Sequence, residues 1–201
     1  MKIILATNNR HKIEEIREFL KEVPGVILSE AKDPNDPLEL KEEGATLRDN
    51  ALQKARTAAH QTGEWALADD TGLFVESLDG RPGIFSSRYA GEQATYEENR
   101  FKLLSELRDV PEEKRGAYFS CVMALVHPDG REVTVEGRLL GRIAREPKGN
   151  QGFGYDPIFW LPDRDRTLAE LSLEEKNKIS HRGKALYKMK GVLEGLTKLE
   201  G

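Results

Sequence analysis

The stretch "KIILATNNRHKIEEIREFL" at residues 2–20 decides the fold class, because its apolar residues follow a strand pattern at the start and a helix pattern at the end. Residues 2–6 form a short apolar run typical of a buried strand, whereas the apolar positions near the end of the stretch recur at the spacing of one helical face. The polar hexapeptide "TNNRHK" at residues 7–12 separates the two. A strand, a loop and a helix in this order are typical of α/β proteins, which often bind ligands at such a junction. This junction lacks the glycines of a phosphate-binding loop, so it does not identify a ligand by itself.

Further apolar runs predict the remaining strands of a sheet. "WALAD" at residues 65–69 predicts a buried strand that ends at the "DDTG" motif. Two long runs, at residues 116–127 and 131–144, flank the turn sequence "PDG" and predict an antiparallel hairpin. Shorter apolar runs predict two more strands, at residues 25–29 and 157–162.

Capping residues predict where the helices begin. Three pairs have the capping-box spacing, namely Thr46 with Asp49, Thr95 with Glu98, and Ser172 with Glu175. Ser180 is the predicted N-cap of the last helix. In the helix after Thr46, a narrow stripe of small residues that includes Ala51, Ala55 and Ala58 predicts close packing against a neighbour.

The alternation of strands and helices, with one long hairpin, predicts the α/β class with a mixed central β-sheet flanked by helices. The proline-broken acidic stretch at residues 30–44 predicts a loop. Since no linker rich in glycine, proline or serine divides the chain, we predict a single domain at residues 1–201.

Composition limits the possible partners and the location. The formal net charge of -4 argues against bulk electrostatic attraction to nucleic acid or an anionic membrane. The longest apolar runs are far shorter than the roughly 20 residues of a membrane helix, and "MKIILATNN" is too short for a signal-peptide core. We therefore expect a cytoplasmic protein whose partners are neither nucleic acid nor membrane. Cys121 is the single cysteine, so an intramolecular disulfide or a multi-cysteine zinc site is excluded, and we expect a buried apolar thiol.

Two adjacent acids, Asp69 and Asp70, follow an apolar run, where a carboxylate needs a cation, hydrogen bonds or water. A hard metal ion and a solvated turn both satisfy that need. Successive side chains of a strand point to opposite faces, so both acids can serve one site only where the strand has ended. The acidic run "KEEG" at residues 41–44 is either a further source of oxygen ligands or a solvated run before a helix. Mg²⁺ needs only one to three protein carboxylates, because it keeps waters and shares substrate phosphates.

Two more segments carry groups that suit a nucleotide. The loop "GNQGFGYDP" offers an aromatic face at Phe153 or Tyr155 and a carboxylate at Asp156, which suit a flat heterocycle, although a structural turn is the alternative. "SHRGK" places His181 and Arg182 at a predicted helix start, where free amides favour anions or carbonyl oxygens, although surface residues are the alternative. Together with the hexapeptide and the acids, these are the parts needed to hold a nucleotide with Mg²⁺.

The ordered motifs "TNNRHK", "EEGATLRDNALQKA", "ADDTGL", "GRPGIFSSRYAG", "GFGYDPIF" and "EKNKISHRGKAL" resemble the inosine/xanthosine triphosphate pyrophosphatase family over nearly the whole chain. That family hydrolyses dITP, ITP and XTP to the monophosphate and pyrophosphate with Mg²⁺, and so removes deaminated purines from the nucleotide pool. The resemblance implies a nucleoside triphosphate substrate, a homodimer, and the family's fold with an active-site cleft between two lobes.

The resemblance also implies roles for individual residues. Asp70 is expected to bind Mg²⁺ and to accept a proton, with Asp69 in support. Many members have a glutamate ligand where this chain has Lys41, so Glu42 is the preferred candidate for the second ligand. The implied substrate contacts are Thr7, Asn8, Asn9, Arg10, His11 and Lys12 for the triphosphate, Thr71 for the substrate, and Phe153, Gly154, Tyr155, Asp156, Lys176, His181 and Arg182 for the remainder. Two rival functions stay open: a pyrophosphatase for other modified nucleotides, and a non-catalytic nucleotide-binding module.

Overall fold

The opening stretch forms a strand and a helix, as predicted, with β1 at Lys2–Leu5 and α1 at Arg10–Leu20. The side chain of Asn9 caps the helix, because it accepts hydrogen bonds from the backbone amides of His11 and Lys12. The fold is given by a computed structural model, which describes residues 1–30, 32–33, 36–37 and 40–200.

The strands of the described residues confirm a mixed sheet. They are β2 (Ile27–Glu30), β3 (Lys32–Asp33), β4 (Asp36–Pro37), β5 (Trp65–Val75), β6 (Pro82–Gly83), β7 (Gly116–Val126), β8 (Glu132–Ile143), β9 (Phe159–Leu161) and β10 (Arg166–Thr167). The main sheet has the order β10-β9-β8-β7-β5-β1-β2, and β6 pairs with β5. β1 pairs in parallel with β2 and β5, whereas β9 pairs antiparallel with β8 and β10.

The predicted hairpin is confirmed, since β7 and β8 are neighbouring strands joined by a short turn. The backbone N–H of His127 donates to the carbonyl oxygen of Arg131 at 2.9 Å, which closes that turn. The stretch predicted to be a loop contains the small β3–β4 ladder, so the loop prediction is wrong for those four residues. The rest of that prediction falls partly on residues 31, 34–35 and 38–39, which lie outside the described residues.

The helices begin where the capping residues predict. They are α2 (Leu47–Thr62), α3 (Tyr96–Glu106), α4 (Leu173–Ile179) and α5 (His181–Glu200). Full capping boxes precede α3 and α4. At α2 the Thr46 hydroxyl accepts from the Asp49 amide and donates to the Asp49 carboxylate, so this acid bonds the hydroxyl instead of the N-cap amide. None of the helices in the described ranges combines the length and apolarity needed to cross a lipid bilayer.

The chain groups into two compact units, each with its own apolar core. Apolar side chains of β1, α1 and α5 fill the core of unit 1 together with Cys121, which is buried as expected. The core of unit 2 joins α3 to apolar residues of β8 and β9. Unit 1 comprises Met1–Asp70, Cys121–Gly137 and Arg182–Gly201, and unit 2 comprises Thr71–Ser120 and Arg138–His181. The single domain stays a prediction.

The small-residue stripe of α2 is buried, as predicted. Ala51, Ala55 and Ala58 each have 0% of their surface exposed, and Leu47 at the start of the helix is also buried. Alanine at these positions lets a neighbouring element approach the helix closely. Close approach also brings the buried polar residues Asn50 and Lys54 of the same helix within reach of their partners.

We expect Ala55→Leu to lower the free energy of unfolding by about 1–3 kcal/mol, because three added carbons have no space in a filled core. Urea unfolding of the purified variant would measure the change. His60→Leu on the exposed side of the same helix is the control, and it should change the free energy by no more than about 0.5 kcal/mol. Equal stabilities of the two variants would contradict the close packing of α2.

Candidate active site

Strand β5 continues through both acidic residues as far as Val75, so the prediction that it ends at Asp69 is wrong. The strand is prolonged because its second half gains a partner, with Leu73 opposite Gly83 in β6. Since successive side chains of a strand point to opposite faces, Asp69 and Asp70 must have different surroundings.

Asp69 is a fully buried anchor within unit 1. Its Oδ2 atom lies 3.1 Å from Lys12 Nζ and 3.0 Å from Arg182 Nη2. Burial alone would raise the pKa of Asp69, but the charges of Lys12 and Arg182 outweigh it and hold that pKa well below its usual range. Glu15 balances the second positive charge, because its carboxylate lies 2.6 Å from Arg182 Nη1. The supporting role that the family resemblance implies for Asp69 stays a prediction.

Asp70 faces a second set of partners in unit 1. Its Oδ2 atom accepts a hydrogen bond from Asn50 Nδ2 at 3.0 Å, and its Oδ1 atom lies 3.4 Å from Lys54 Nζ. The same ammonium lies 2.6 Å from Glu42 Oε1. Burial raises the pKa of the Asp70 carboxyl, and the charge of Glu42 adds to this effect, whereas the charge of Lys54 opposes it.

The carboxylates of Glu42 and Asp70 fit a small hard cation, because both already converge on one positive charge, the ammonium of Lys54. Mg²⁺ prefers oxygen ligands and needs few from the protein. Within the described ranges, no group of three or more His, Cys, Asp or Glu side chains is placed to hold a metal. Waters and substrate phosphates would therefore have to complete the ligand shell.

Sequence reasoning missed Lys54 and Asn50, although both are buried at this site. A usable signal was present, since both lie within the small-residue stripe of α2, where a lysine and an asparagine need buried partners. Their spacing of four residues also places them on one face of the helix.

The hexapeptide contains the end of the connection between β1 and α1 and the first three residues of the helix, because α1 already begins at Arg10. The prediction that the whole hexapeptide separates the strand from the helix is therefore wrong for residues 10–12. The Thr7 hydroxyl accepts from the Asn9 amide at 3.2 Å, and the Asn9 side chain caps the helix. Asn8, Arg10 and His11 are exposed. The N-terminus of an eleven-residue helix attracts anions, so this loop suits a phosphate group.

The aromatic glycine loop lies in unit 2 and is organised by Asp156. The buried carboxylate of Asp156 accepts from the Phe153 amide at 2.9 Å and from Lys176 Nζ at 2.7 Å. The same ammonium lies 4.8 Å from the centre of the Phe153 ring. Tyr155 belongs to the core, where its hydroxyl donates to the carbonyl oxygen of Ser86 at 2.9 Å. Of the two aromatic rings considered for the heterocycle, Phe153 is therefore the more exposed.

The neighbours His181 and Arg182 have different partners. In unit 2 the His181 ring stacks on Phe119, with centroids 4.4 Å apart and planes inclined by 19°. In unit 1 Arg182 holds Asp69 and Glu15. The basic helix start predicted from the sequence thus divides into two buried side chains with separate contacts.

The predicted site residues fall into both units. Unit 1 contains Thr7, Asn8, Asn9, Arg10, His11, Lys12, Glu42, Asp69, Asp70 and Arg182. Unit 2 contains Thr71, Phe153, Gly154, Tyr155, Asp156, Lys176 and His181. Unit 1 joins Lys12 to Asp69 directly, and it links Glu42 to Asp70 through Lys54.

We expect Gly152→Ala to lower the free energy of unfolding more than Gly154→Ala does. Both glycines have positive φ, +72° and +61°, so either alanine costs about 1 kcal/mol in backbone strain. A Cβ at Gly152 would also overlap the Asp156 carboxylate, which is held by Lys176, whereas Gly154 has open space. The overlap should add about 1–3 kcal/mol, measured by chemical unfolding. Equal losses would show that Asp156 is free to move.

Comparison with known proteins agrees with this architecture. Residues 3–192 match the sequence profile of the Ham1 family. A dITP/XTP pyrophosphatase of Thermoanaerobacter pseudethanolicus is 51% identical over 96% of both chains, and one of Desulforamulus reducens is 50% identical over 98% of this chain and 97% of its own. The solved structure of a HAM1 protein from Coxiella burnetii is 44% identical and superimposes with a TM-score of 0.87, covering 96% of this chain and 98% of that one. The resemblance drawn from the motifs is confirmed, and the chain belongs to the Ham1 family.

Proposed function

We propose that the protein hydrolyses ITP, XTP and dITP to the nucleoside monophosphate and pyrophosphate. Its relatives in Thermoanaerobacter pseudethanolicus and Desulforamulus reducens are named dITP/XTP pyrophosphatases and align with nearly the whole chain. One observation of the structure carries the proposal, the convergence of the Glu42 and Asp70 carboxylates on a single positive charge. A pair of this kind binds a divalent cation together with the phosphates of a nucleotide.

The reaction would begin with water attack on the α-phosphorus. Asp70 orients the water and takes its proton as the general base. The bond from the α-phosphorus to the bridging oxygen breaks, and pyrophosphate leaves with the electron pair. Lys12 and Lys54 place positive charge beside the acids and so stabilise the charge that develops on the phosphates. Mg²⁺, held by Asp70 and Glu42 when bound, would neutralise the phosphate oxygens and polarise them.

Base recognition is assigned to unit 2. The ring would lie against Phe153, and its edge would face Asp156 and the start of α5. Inosine and xanthosine have a 6-oxo acceptor where adenosine has an amino donor, so donors at this edge would be left unpaired by adenine. Buried unpaired groups discriminate strongly. Guanine shares the 6-oxo group, so its rejection must arise at position 2. Contact of the base with Arg182 stays a prediction, since this guanidinium donates to Asp69 and Glu15.

The cytoplasmic location and the homodimer also stay predictions from the sequence. They agree with a role in the nucleotide pool, where the enzyme would act on free nucleoside triphosphates before a polymerase uses them.

We expect the protein with Mg²⁺ to release pyrophosphate from ITP, XTP and dITP much faster than from ATP, GTP or dTTP. Assays of these six nucleotides, with separate measurement of pyrophosphate and phosphate, would show both which nucleotides are hydrolysed and which phosphoanhydride bond is cleaved. Asp70→Asn should lower the rate by about 10²–10⁴-fold, as expected for loss of a general base, with the fold retained.

Equal turnover of ATP, or release of phosphate in place of pyrophosphate, would overturn the proposed substrate and reaction. High activity on another modified nucleotide alone would favour the first rival. Full retention of function in Asp70→Asn would favour a non-catalytic nucleotide-binding module.

We expect Glu42→Gln to raise the Mg²⁺ concentration needed for half-maximal activity by about tenfold or more, because a cation ligand loses its charge. Glu43→Gln is the matched control, since Glu43 is exposed and is tied to α2 through its backbone amide. A Mg²⁺ titration of both variants measures the difference. A larger effect at Glu43 would move the second ligand to that residue.

A further inference from the structure

The buried side chain of Asn50 joins one candidate metal ligand, Asp70, to the loop that carries the other, Glu42. Only 1% of Asn50 is exposed. Its Nδ2 donates to Asp70 Oδ2 at 3.0 Å, and its Oδ1 accepts from the backbone N–H of Gly44 at 2.7 Å. A backbone N–H can only donate, so the amide has one possible orientation, with the NH₂ group toward the carboxylate. Asn50 therefore connects β5 to the loop that carries Glu42.

That loop approaches α2 too closely for any residue but glycine at position 44. A Cβ there would lie 2.6 Å from the Cβ of Asp49 and 2.8 Å from Asn50 Oδ1. The backbone N–H of the preceding residue, Glu43, donates to Gln53 Oε1 at 3.3 Å. The carboxylate of Glu42 pairs with Lys54. Three consecutive loop residues are thus held by one face of α2.

The two oxygens of Asp70 are divided between different partners. Oδ2 receives the hydrogen bond from Asn50, whereas Oδ1 lies on the side of Lys54 and Glu42. A neutral amide donor fixes a carboxylate without adding a charge that would compete with a metal ion. Polar groups behind a metal ligand commonly set its orientation in this way.

We propose that Asn50 is a positioning residue, which holds Asp70 and the Glu42 loop in the mutual placement that a divalent cation needs. The assignment of both carboxylates as metal ligands rests on the proposed function. Hydrogen bonds within the chain hold this placement, so less ordering is left for the moment of binding.

Two variants separate the two hydrogen bonds of Asn50. Asn50→Leu keeps the number and branching of the side-chain heavy atoms and removes both bonds. In the substrate-free protein, we expect the Gly44 amide to exchange its hydrogen roughly tenfold faster. Mn²⁺ affinity, measured by electron paramagnetic resonance, should fall about 10- to 100-fold, and kcat by a similar factor. Asn50→Asp keeps the acceptor for Gly44 but sets a carboxylate against Asp70, so Gly44 stays protected while kcat falls.

Thr57→Val on the same helix is the matched control. It removes one side-chain hydrogen bond, from the Thr57 hydroxyl to the carbonyl oxygen of Gln53, and should leave Mn²⁺ affinity and Gly44 exchange unchanged. Circular dichroism would verify that all three variants are folded.

Wild-type Mn²⁺ affinity in Asn50→Leu, or wild-type kcat in Asn50→Asp, would overturn the positioning role. Rapid exchange of Gly44 in Asn50→Asp would also overturn it, because the acceptor is retained there. Failure of the proposed function is a separate result. It would appear as wild-type protein that releases no pyrophosphate from ITP, whereas Gly44 exchange and Mn²⁺ binding are measured without a nucleotide.

Discussion

The ion pairs of Asp69 are the constraint on which the rest of unit 1 depends. A carboxylate without exposed surface is stable only when cations compensate it, and here Lys12 of α1 and Arg182 of α5 do so. Both cations contact the same atom, Asp69 Oδ2, so these ion pairs link α1 and α5 to β5. Because the strand is regular at this point, fixing Asp69 on one face directs Asp70 to the other, toward Asn50 and Lys54.

Local signals predicted much of the fold. The change of period between β1 and α1, the turn inside the β7–β8 hairpin and the caps of α3 and α4 are all encoded in a few neighbouring residues. The extent of β5 is different, because the second half of this strand is held by β6. A search for apolar runs cannot detect pairing with a strand outside the segment, so the apolar run alone predicts a strand that ends at the acidic motif.

The site shows the same division between local and distant information. Asp70, Asp156 and Phe153 stand in short motifs that a single sequence reveals. Asn50 and Lys54 lie in a helix whose pattern indicates only close packing, and their partner Asp70 follows 20 and 16 residues later. The roles of Asn50 and Lys54 depend on the buried groups that the fold brings within hydrogen-bonding distance of them. Sequence reasoning can flag such residues as polar groups in an apolar stripe, but it cannot assign their partners.

Lys54 has a consequence for how the protein tolerates changes in its ionic surroundings. Its ammonium lies 2.6 Å from Glu42 and 3.4 Å from Asp70, so a positive charge that is part of the chain offsets the repulsion between the two acids. Nearby acids raise the pKa of this lysine against the opposite effect of burial, so it keeps its charge at neutral pH. An internal counterion of this kind supports the fold without any ion from solution, since its positive charge is carried by the chain itself.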